Sequence, residues 1–396
     1  MAHARTTAPV RQSSLREHNL ALVLKQVAGR HPVSRADIAQ ATGLTRATVS
    51  ALVEDLIAGQ LVIEVAGAPK SGAGRPSIGL DLDPDGPAGL GLQMNVDYLS
   101  ACVVDMTGAV RHLEVHHADQ RKRIAEEVLA DVEALAATAA GVAEGLGVRL
   151  AGAALAVPGL VQDRTLRLAP NLGWRDLHVG LRVADHPVHV ENDANLAALG
   201  EMFTNPNAGR SFIYVCGEIG IGGGVVVGGE LLRGSRGFSG EIGHMSVHPS
   251  GPLCRCGAHG CLEQYAGQEA ILRAAGLPDP GAGTIAATDL AAGAIAGNRK
   301  VLAALDAAGA ALGIVLADTV NLVDIDTVIL GGVYTRLEPW LRRNIAREIG
   351  ARVLASDWAP VQIRPSVLAE NASVVGAAVS VVRSVWDNPV EWIPTR

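Results

Sequence analysis

Between Gly240 and Gly267 the chain reads GEIGHMSVHPSGPLCRCGAHGCLEQYAG, a stretch with too little apolar surface to fold around a core of its own. Gly251, Pro252, Gly257 and Gly260 break it into turns. It holds Cys254, Cys256 and Cys261, three of the five cysteines, and His244 stands ten positions before the first. The pattern H-x9-C-x-C-x4-C offers one imidazole and three thiols, the Cys3His ligand set of a closed tetrahedral structural zinc site. A metal would give the loop a fixed shape and hold the acids that flank it, Glu241 and Glu263. Two blander readings compete, a loop of reduced, unengaged thiols and a disulfide. A Cys254–Cys256 bridge would be strained by its tiny ring, and zinc is the reading adopted.

The remaining 368 or so positions are too many for one compact core, so a chain of 396 residues is expected to form two or three domains. Aromatics make up only 3% while Gly alone numbers 46, which suits helices packed closely through small side chains. An odd cysteine count and no secretory leader point to a reducing cytoplasm. The longest helical apolar run, Ala307 to Ala317 between Asp306 and Asp318, is too short to cross a bilayer. Net charge is −7 but uneven: residues 1–80 carry nine basic and five acidic side chains, which leaves +4 there and −11 on the rest. A basic first fifth on an acidic body directs any polyanion to the N-terminal part.

That part has the pattern of a winged helix-turn-helix. Leu20, Val23, Leu24 and Val27 keep helical spacing, predicting a helix from about Ser14 to Ala28. Ser34 is a good N-cap for a second helix over Arg35–Ala41, Gly43 makes the turn, and Thr45 caps a third. The third helix has an apolar stripe of Val49, Leu52, Val53, Leu56 and Ile57. Arg46, Thr48 and Ser50 face outward at its start, where a recognition helix meets base edges. Strands at Leu61–Val65 and Ser77–Leu82 would form a wing with Lys70 and Arg75 at its tip. Asp83–Gly86 is the natural linker. Beyond it strands and helices alternate in two successive series. In the first, a strand ends at Glu191-Asn192-Asp193, and in the second one ends at Gly331-Gly332. Asn192 and Asp193 can serve either as helix caps or as ligand-binding groups, since open α/β sheets place their sites at strand ends.

Taken together these residues resemble the ROK family, the repressors and sugar kinases built on an actin-like, twice-repeated α/β fold. The resemblance rests on GEIGH…CxCGxxGCLE at 240–263 and ENDANLAALGE at 191–201, with APNLGW at 169–174, VPGLV at 157–161 and ILGGV at 329–333 in support. It implies an α/β architecture with a winged helix-turn-helix at 1–82 and a duplicated, ribonuclease-H-like two-lobed body at 87–396. Lobe 1 would take about 87–203 plus a C-terminal helix within 366–396, and lobe 2 about 204–365. It implies zinc on His244, Cys254, Cys256 and Cys261, and a sugar on Asn192, Asp193, Glu241, His244 and Glu263. In the kinase branch Asp193 would be the base that takes the sugar hydroxyl proton.

The nucleotide half departs from the kinase pattern. Where the kinases carry an acid, glycines and a threonine in the first strand turn, this chain has Gln93, Asn95, Val96 and Asp97. The second phosphate loop, GTGIGGG in the kinases, reads Glu218 to Gly224 as EIGIGGG, with Ile219 in place of the hydroxyl. Its remaining glycines are expected to form a tight turn into a hairpin. The reading is a transcriptional repressor of sugar genes, a homodimer or homotetramer that binds operator DNA, responds to a monosaccharide and is not an enzyme. An ATP-dependent sugar kinase with a fused DNA module, and a DNA-binding protein whose body only oligomerises, are the alternatives.

Overall fold

The computed structural model describes residues 12–29, 32–67, 78–183, 186–278 and 283–394. Helices α1 (Gln12–Gly29), α2 (Arg35–Thr42) and α3 (Arg46–Ala58) precede the antiparallel pair β1 (Val62–Val65) and β2 (Gly79–Leu82). The local chemistry is as the sequence requires. Ser34 Oγ accepts from the Asp37 amide while the Asp37 carboxylate accepts from the Ser34 amide, a reciprocal box that starts α2. Gly43 ends that helix at φ +73°, where a side chain would be strained, and Thr45 caps α3. Lys70 and Arg75 lie outside the described residues.

The body contains two five-stranded sheets. The first is built from β3 (Ala88–Met94), β4 (Tyr98–Val104) and β5 (Val110–His117), helix α4 (Ala125–Gly145), β6 (Leu150–Val157), and β12 (His189–Asn192), which leads into α5 (Asp193–Thr204). Between β6 and β12 lie β7 (Leu160–Gln162), β8 (Thr165–Ala169), β9 (Trp174–His178), β10 (Arg182–Val183) and β11 (His186–Pro187). The second sheet comes from β13 (Phe212–Gly217), β14 (Ile221–Val227), β15 (Glu230–Leu231), β16 (Thr327–Gly332) and β17 (Gln362–Pro365). Its helices are α6 (Glu263–Ala266), α7 (Gln268–Ala275), α8 (Gly283–Ile295), α9 (Arg299–Val323) and α10 (Val333–Arg352), and α11 (Ala372–Asp387) follows β17.

The two sheets have one plan. The first runs β12-β6-β3-β4-β5 and the second β17-β16-β13-β14-β15. In each, a meander of three antiparallel strands is extended by two parallel ones. That is the duplication the alternating pattern implied. The small sheet β7-β8-β9 and the β10-β11 pair were not foreseen, because their strands are short and mostly half-exposed.

Helix α11 returns from the second sheet to lie on the first. Its approach depends on Gly89 and Gly91 in β3, where a Cβ would run into the carbonyl oxygens of Ala378 and Val374. The far end of α11 joins the winged helix. Val382 and Val385 share a core with Leu20, Leu24, Leu56 and Leu80, and Trp386 stacks on Phe203 at 4.8 Å. Helix α9 extends well beyond the apolar run Ala307 to Ala317 at both ends and by length and composition reaches membrane-spanning size. Its apolar face, including Leu305, Leu312, Val315 and Leu316, is instead buried in the core of the second sheet.

Candidate functional site

The ends of several strands converge on one cavity. It is lined by Asn95, Pro158, Gly159, Asn171, Asn192, Asp193, Cys216, Glu218, Glu241, His244 and Glu263, among others. All five residues expected to hold a sugar are therefore brought together, from segments separated along the chain. Asn192 is the N-cap of α5, with Oδ1 accepting from the Asn195 amide at 3.1 Å and Nδ2 donating to the Gly159 carbonyl at 3.0 Å. Its capping role and its place in the cavity coexist. Asp193 begins α5, and its Oδ1 accepts from the Ala194 amide at 2.8 Å.

The cavity is rich in carboxyl groups. Burial pushes Asp193 up to about 6. Burial, then the charges of Asp193 and Glu263, push Glu241 up to about 7. Burial, then Asp193, push Glu218 up to about 8. No lysine or arginine lines the cavity among the described residues. Such a set of acceptors, amides and protonated carboxyl donors suits neutral hydroxyls, and it opposes an added anion.

Glu263 is oriented by a chain of contacts that the sequence did not disclose. Asn171 Nδ2 donates to Glu263 Oε2 at 3.3 Å, and Arg255 Nη1 donates to Asn171 Oδ1 at 3.0 Å. Arg255 also pairs with Glu269 at 2.9 Å. Asn171 stands in the APNLGW stretch, and that was the signal for it.

Behind Glu263 lies the cysteine loop. The ligand atoms of His244, Cys254, Cys256 and Cys261 all lie within 4.8 Å of one another. The Cys256 and Cys261 sulfurs are 3.7 Å apart, and His244 Nδ1 is 3.8 Å from Cys254 Sγ. A tetrahedral zinc with bonds of about 2.3 Å puts its sulfurs about 3.8 Å apart, whereas a disulfide needs about 2.05 Å. All five cysteines are free thiols, so the disulfide reading falls. The donor set fits a metal. The loop is shaped for it by the bonds of Cys254 N to Ala258 O at 2.8 Å and Gly257 N to Cys254 O at 2.9 Å. His244 reaches the thiols through Nδ1 and lines the cavity as well.

On the nucleotide side the substituted residues are engaged with one another. Gln93 Nε2 donates to Tyr98 Oη at 2.9 Å, Tyr98 Oη donates to Glu218 Oε1 at 3.3 Å, and Asn95 Nδ2 donates to Glu218 Oε2. Ile219 is buried with Val96 and Leu172 in the core of the first sheet. Only one glycine of EIGIGGG, Gly220, lies in the expected hairpin turn between β13 and β14. The turn is at 218–220, and Gly222, Gly223 and Gly224 lie inside β14. They are needed for close packing: Cβ atoms there would meet Ala194, Ile242 and the Ala194 carbonyl at 2.6–2.8 Å.

In the winged helix Arg46 is exposed at the first position of α3, while Thr48 and Ser50 are half-buried. The Thr48 hydroxyl lies 2.8 Å from that of Thr45 and shares in the cap. Arg16 crosses to Asp55 at 2.6 Å and ties α1 to α3.

Comparison with known proteins gives one consistent picture. The model of the ROK family matches residues 89–384. The xylose repressor of Bacillus spizizenii is 31% identical, over 95% of this chain and 98% of that repressor. The xylose repressor of Bacillus subtilis is 30% identical, over 94% and 96%. A glucokinase of Streptomyces coelicolor is 33% identical, but over 55% of this chain and 75% of the kinase. Among solved structures, a ROK family transcriptional regulator superposes with a TM-score of 0.77, covering 94% of this chain and 97% of that one at 24% identity. A ROK family glucokinase from Streptomyces griseus, in complex with glucose and AMPPNP, gives 0.64 over 74% and 98% at 28% identity.

Proposed function

The chain belongs to the ROK family, and from that premise we propose that it is a sugar-responsive transcriptional repressor without kinase activity. The observation that carries the proposal is coverage. The similarity to two xylose repressors spans 94–95% of this chain, whereas the similarity to the glucokinase spans 55%. Residues 1–82 are the DNA-binding module and 87–396 the sensing body, with lobe 1 at about 87–203 plus the C-terminal helix and lobe 2 at about 204–365.

The effector is a neutral monosaccharide, and xylose is the first to test. Asp193, Glu241, Glu263 and His244 take its hydroxyls, with Asn192 placing the end of β12. His244, Cys254, Cys256 and Cys261 hold a zinc ion, which would supply a rigid anchor for the loop that presents Glu263. Cys254 Sγ lies 3.9 Å from Glu263 Oε1, so fixing the ligand loop also fixes the wall beside that carboxylate. Arg46, Thr48 and Ser50 read the operator, and Lys70 and Arg75 hold its backbone.

The signal has a physical route. The sugar meets the N-terminus of α5, and α5 packs on α11 so closely that a Cβ at Gly376 would run into the Leu196 carbonyl. The distal turn of α11 carries the winged helix. A shift between lobes that moves α5 therefore moves the DNA module. In a homodimer or homotetramer this alters the match to half-sites about 34–36 Å apart.

Two measurements test the reading: operator binding titrated with and without xylose, and ADP release from magnesium-ATP with the same sugar. The repressor reading requires that the sugar change operator affinity and that no ADP form. Sustained ADP release that vanishes in Asp193→Asn would establish the kinase reading, because Asp193 is the proton acceptor which that reading assigns.

A further inference from the structure

The turn 218–220 belongs to the second sheet but is fastened to the first lobe. Glu218 receives hydrogen bonds from Asn95 and Tyr98, both in the β3–β4 segment, and Ile219 is 4% exposed in the core of the first sheet. Gly220 completes the crossing, since a Cβ there would lie 2.6 Å from both Asn171 Nδ2 and Glu263 Oε2. On its other side Glu218 lies against the head of α10, with its Cγ 3.4 Å from where a Cβ of Gly332 would stand. One carboxyl group thus occupies the space between the β3–β4 turn, the β13–β14 turn and the Gly331-Gly332 end of β16. Hydroxyl recognition does not require it there, because Asp193, Glu241 and Glu263 already supply acceptors. Its neighbours are acidic as well: Asp97 and Asp193 both raise it. Its proton makes the crowding tolerable, since a group held at about 8 stays mostly neutral at pH 7.

We infer that Glu218 is a plug. It closes the phosphate end of the sugar pocket and restricts the site to ligands that carry no phosphoryl group there, whether on a nucleotide or on the sugar itself. The inference rests on the sugar-sensor reading for what the pocket holds, and on geometry alone for what it refuses. An incoming phosphate would have to displace Glu218 from Asn95 and Tyr98 and then sit close to Asp97 and Asp193, with no lysine or arginine among the described residues lining the pocket to receive it.

The test is calorimetry on the full chain and on two variants, Glu218→Gly and Glu218→Gly with Asn95→Gly, each first shown to be folded by circular dichroism. The probes are xylose, glucose, glucose 6-phosphate and magnesium-AMPPNP. The wild-type chain should take a neutral sugar and give no binding heat with the two phosphorylated probes at millimolar concentration. At least one variant should gain affinity for AMPPNP or glucose 6-phosphate by about tenfold or more. Binding of AMPPNP by the wild-type chain would overturn the inference, and so would two folded variants that remain blind to both phosphorylated probes. If no neutral sugar binds the wild-type chain, the sensor reading fails, while the AMPPNP arm still decides the role of Glu218.

Discussion

Replacing Glu218 with Gln should stabilise the protein, and the gain should grow with pH. In the unfolded chain a glutamate titrates near 4.5, whereas in the folded protein Glu218 is held at about 8, chiefly by burial and then by Asp193. The native state therefore binds the more protons across this interval, and stability falls as pH rises through it. The contribution is intact below about pH 4.5 and lost by the time pH passes about 8. Each pKa unit corresponds to about 1.4 kcal/mol, so an interval of three to four units gives about 4–5 kcal/mol. Two effects reduce this. Asp193, itself raised to about 6, shares the cost of the crowded pair, and solvent in the cleft screens part of it. About 2 kcal/mol is the working figure. Glutamine keeps the shape of the protonated acid. Its oxygen can accept from Asn95 and its amide can donate to Tyr98 Oη, provided the Gln93 amide turns so that its otherwise unpartnered Oε1 takes the Tyr98 proton. Urea unfolding of both proteins at pH 5.5 and 8.5 provides the assay, with stability read from the midpoint at unchanged slope. Glu218→Gln should lead by a small margin at the lower pH and by roughly three times as much at the higher. An equal difference at both values would mean that Glu218 titrates as an ordinary carboxylate, and the account of the crowded cleft would be wrong.

Cys256→Ser should lower zinc content from one ion per chain and weaken sugar binding with it; elemental analysis finding no metal in wild-type protein that binds sugar normally would refute the link. Arg46→Ala should weaken operator binding by about 1–3 kcal/mol and relax specificity at one base pair, as loss of a bidentate guanine contact does. Unchanged affinity in a gel-shift titration would remove Arg46 from the interface. Glu263→Ala should abolish sugar binding in calorimetry while leaving sugar-free operator binding intact, since Glu263 is 6% exposed in the cavity and far along the chain from the winged helix. Gly91→Ala should destabilise by about 1–3 kcal/mol, the usual cost of overpacking, because its methyl would run into the Val374 carbonyl of α11. A urea midpoint equal to that of the wild-type chain would show that α11 is free to move off the sheet.

The sequence alone determined the elements and the chemistry carried by local spacing. Helical periodicity at Leu20, Val23, Leu24 and Val27, the caps at Ser34 and Thr45, and the alternation that became two sheets of one plan all act over a few residues, where a side chain meets neighbours on its own element. The Cys3His loop was legible for the same reason, since its four ligands lie within eighteen positions, from 244 to 261. Tertiary structure decided the rest. The glycines of EIGIGGG could not be told apart as turn or packing glycines until Ala194 and Ile242 lay against them. The orientation of Glu263 depends on Asn171, 92 positions away. Glu218, which read as one position of a phosphate loop, became the group that crosses the cleft only because Asn95, 123 positions earlier, meets it there. A hydrogen bond of that separation has no periodicity to announce it. It exists because two sheets, each specified locally, pack so that the ends of β3 and β13 face one another.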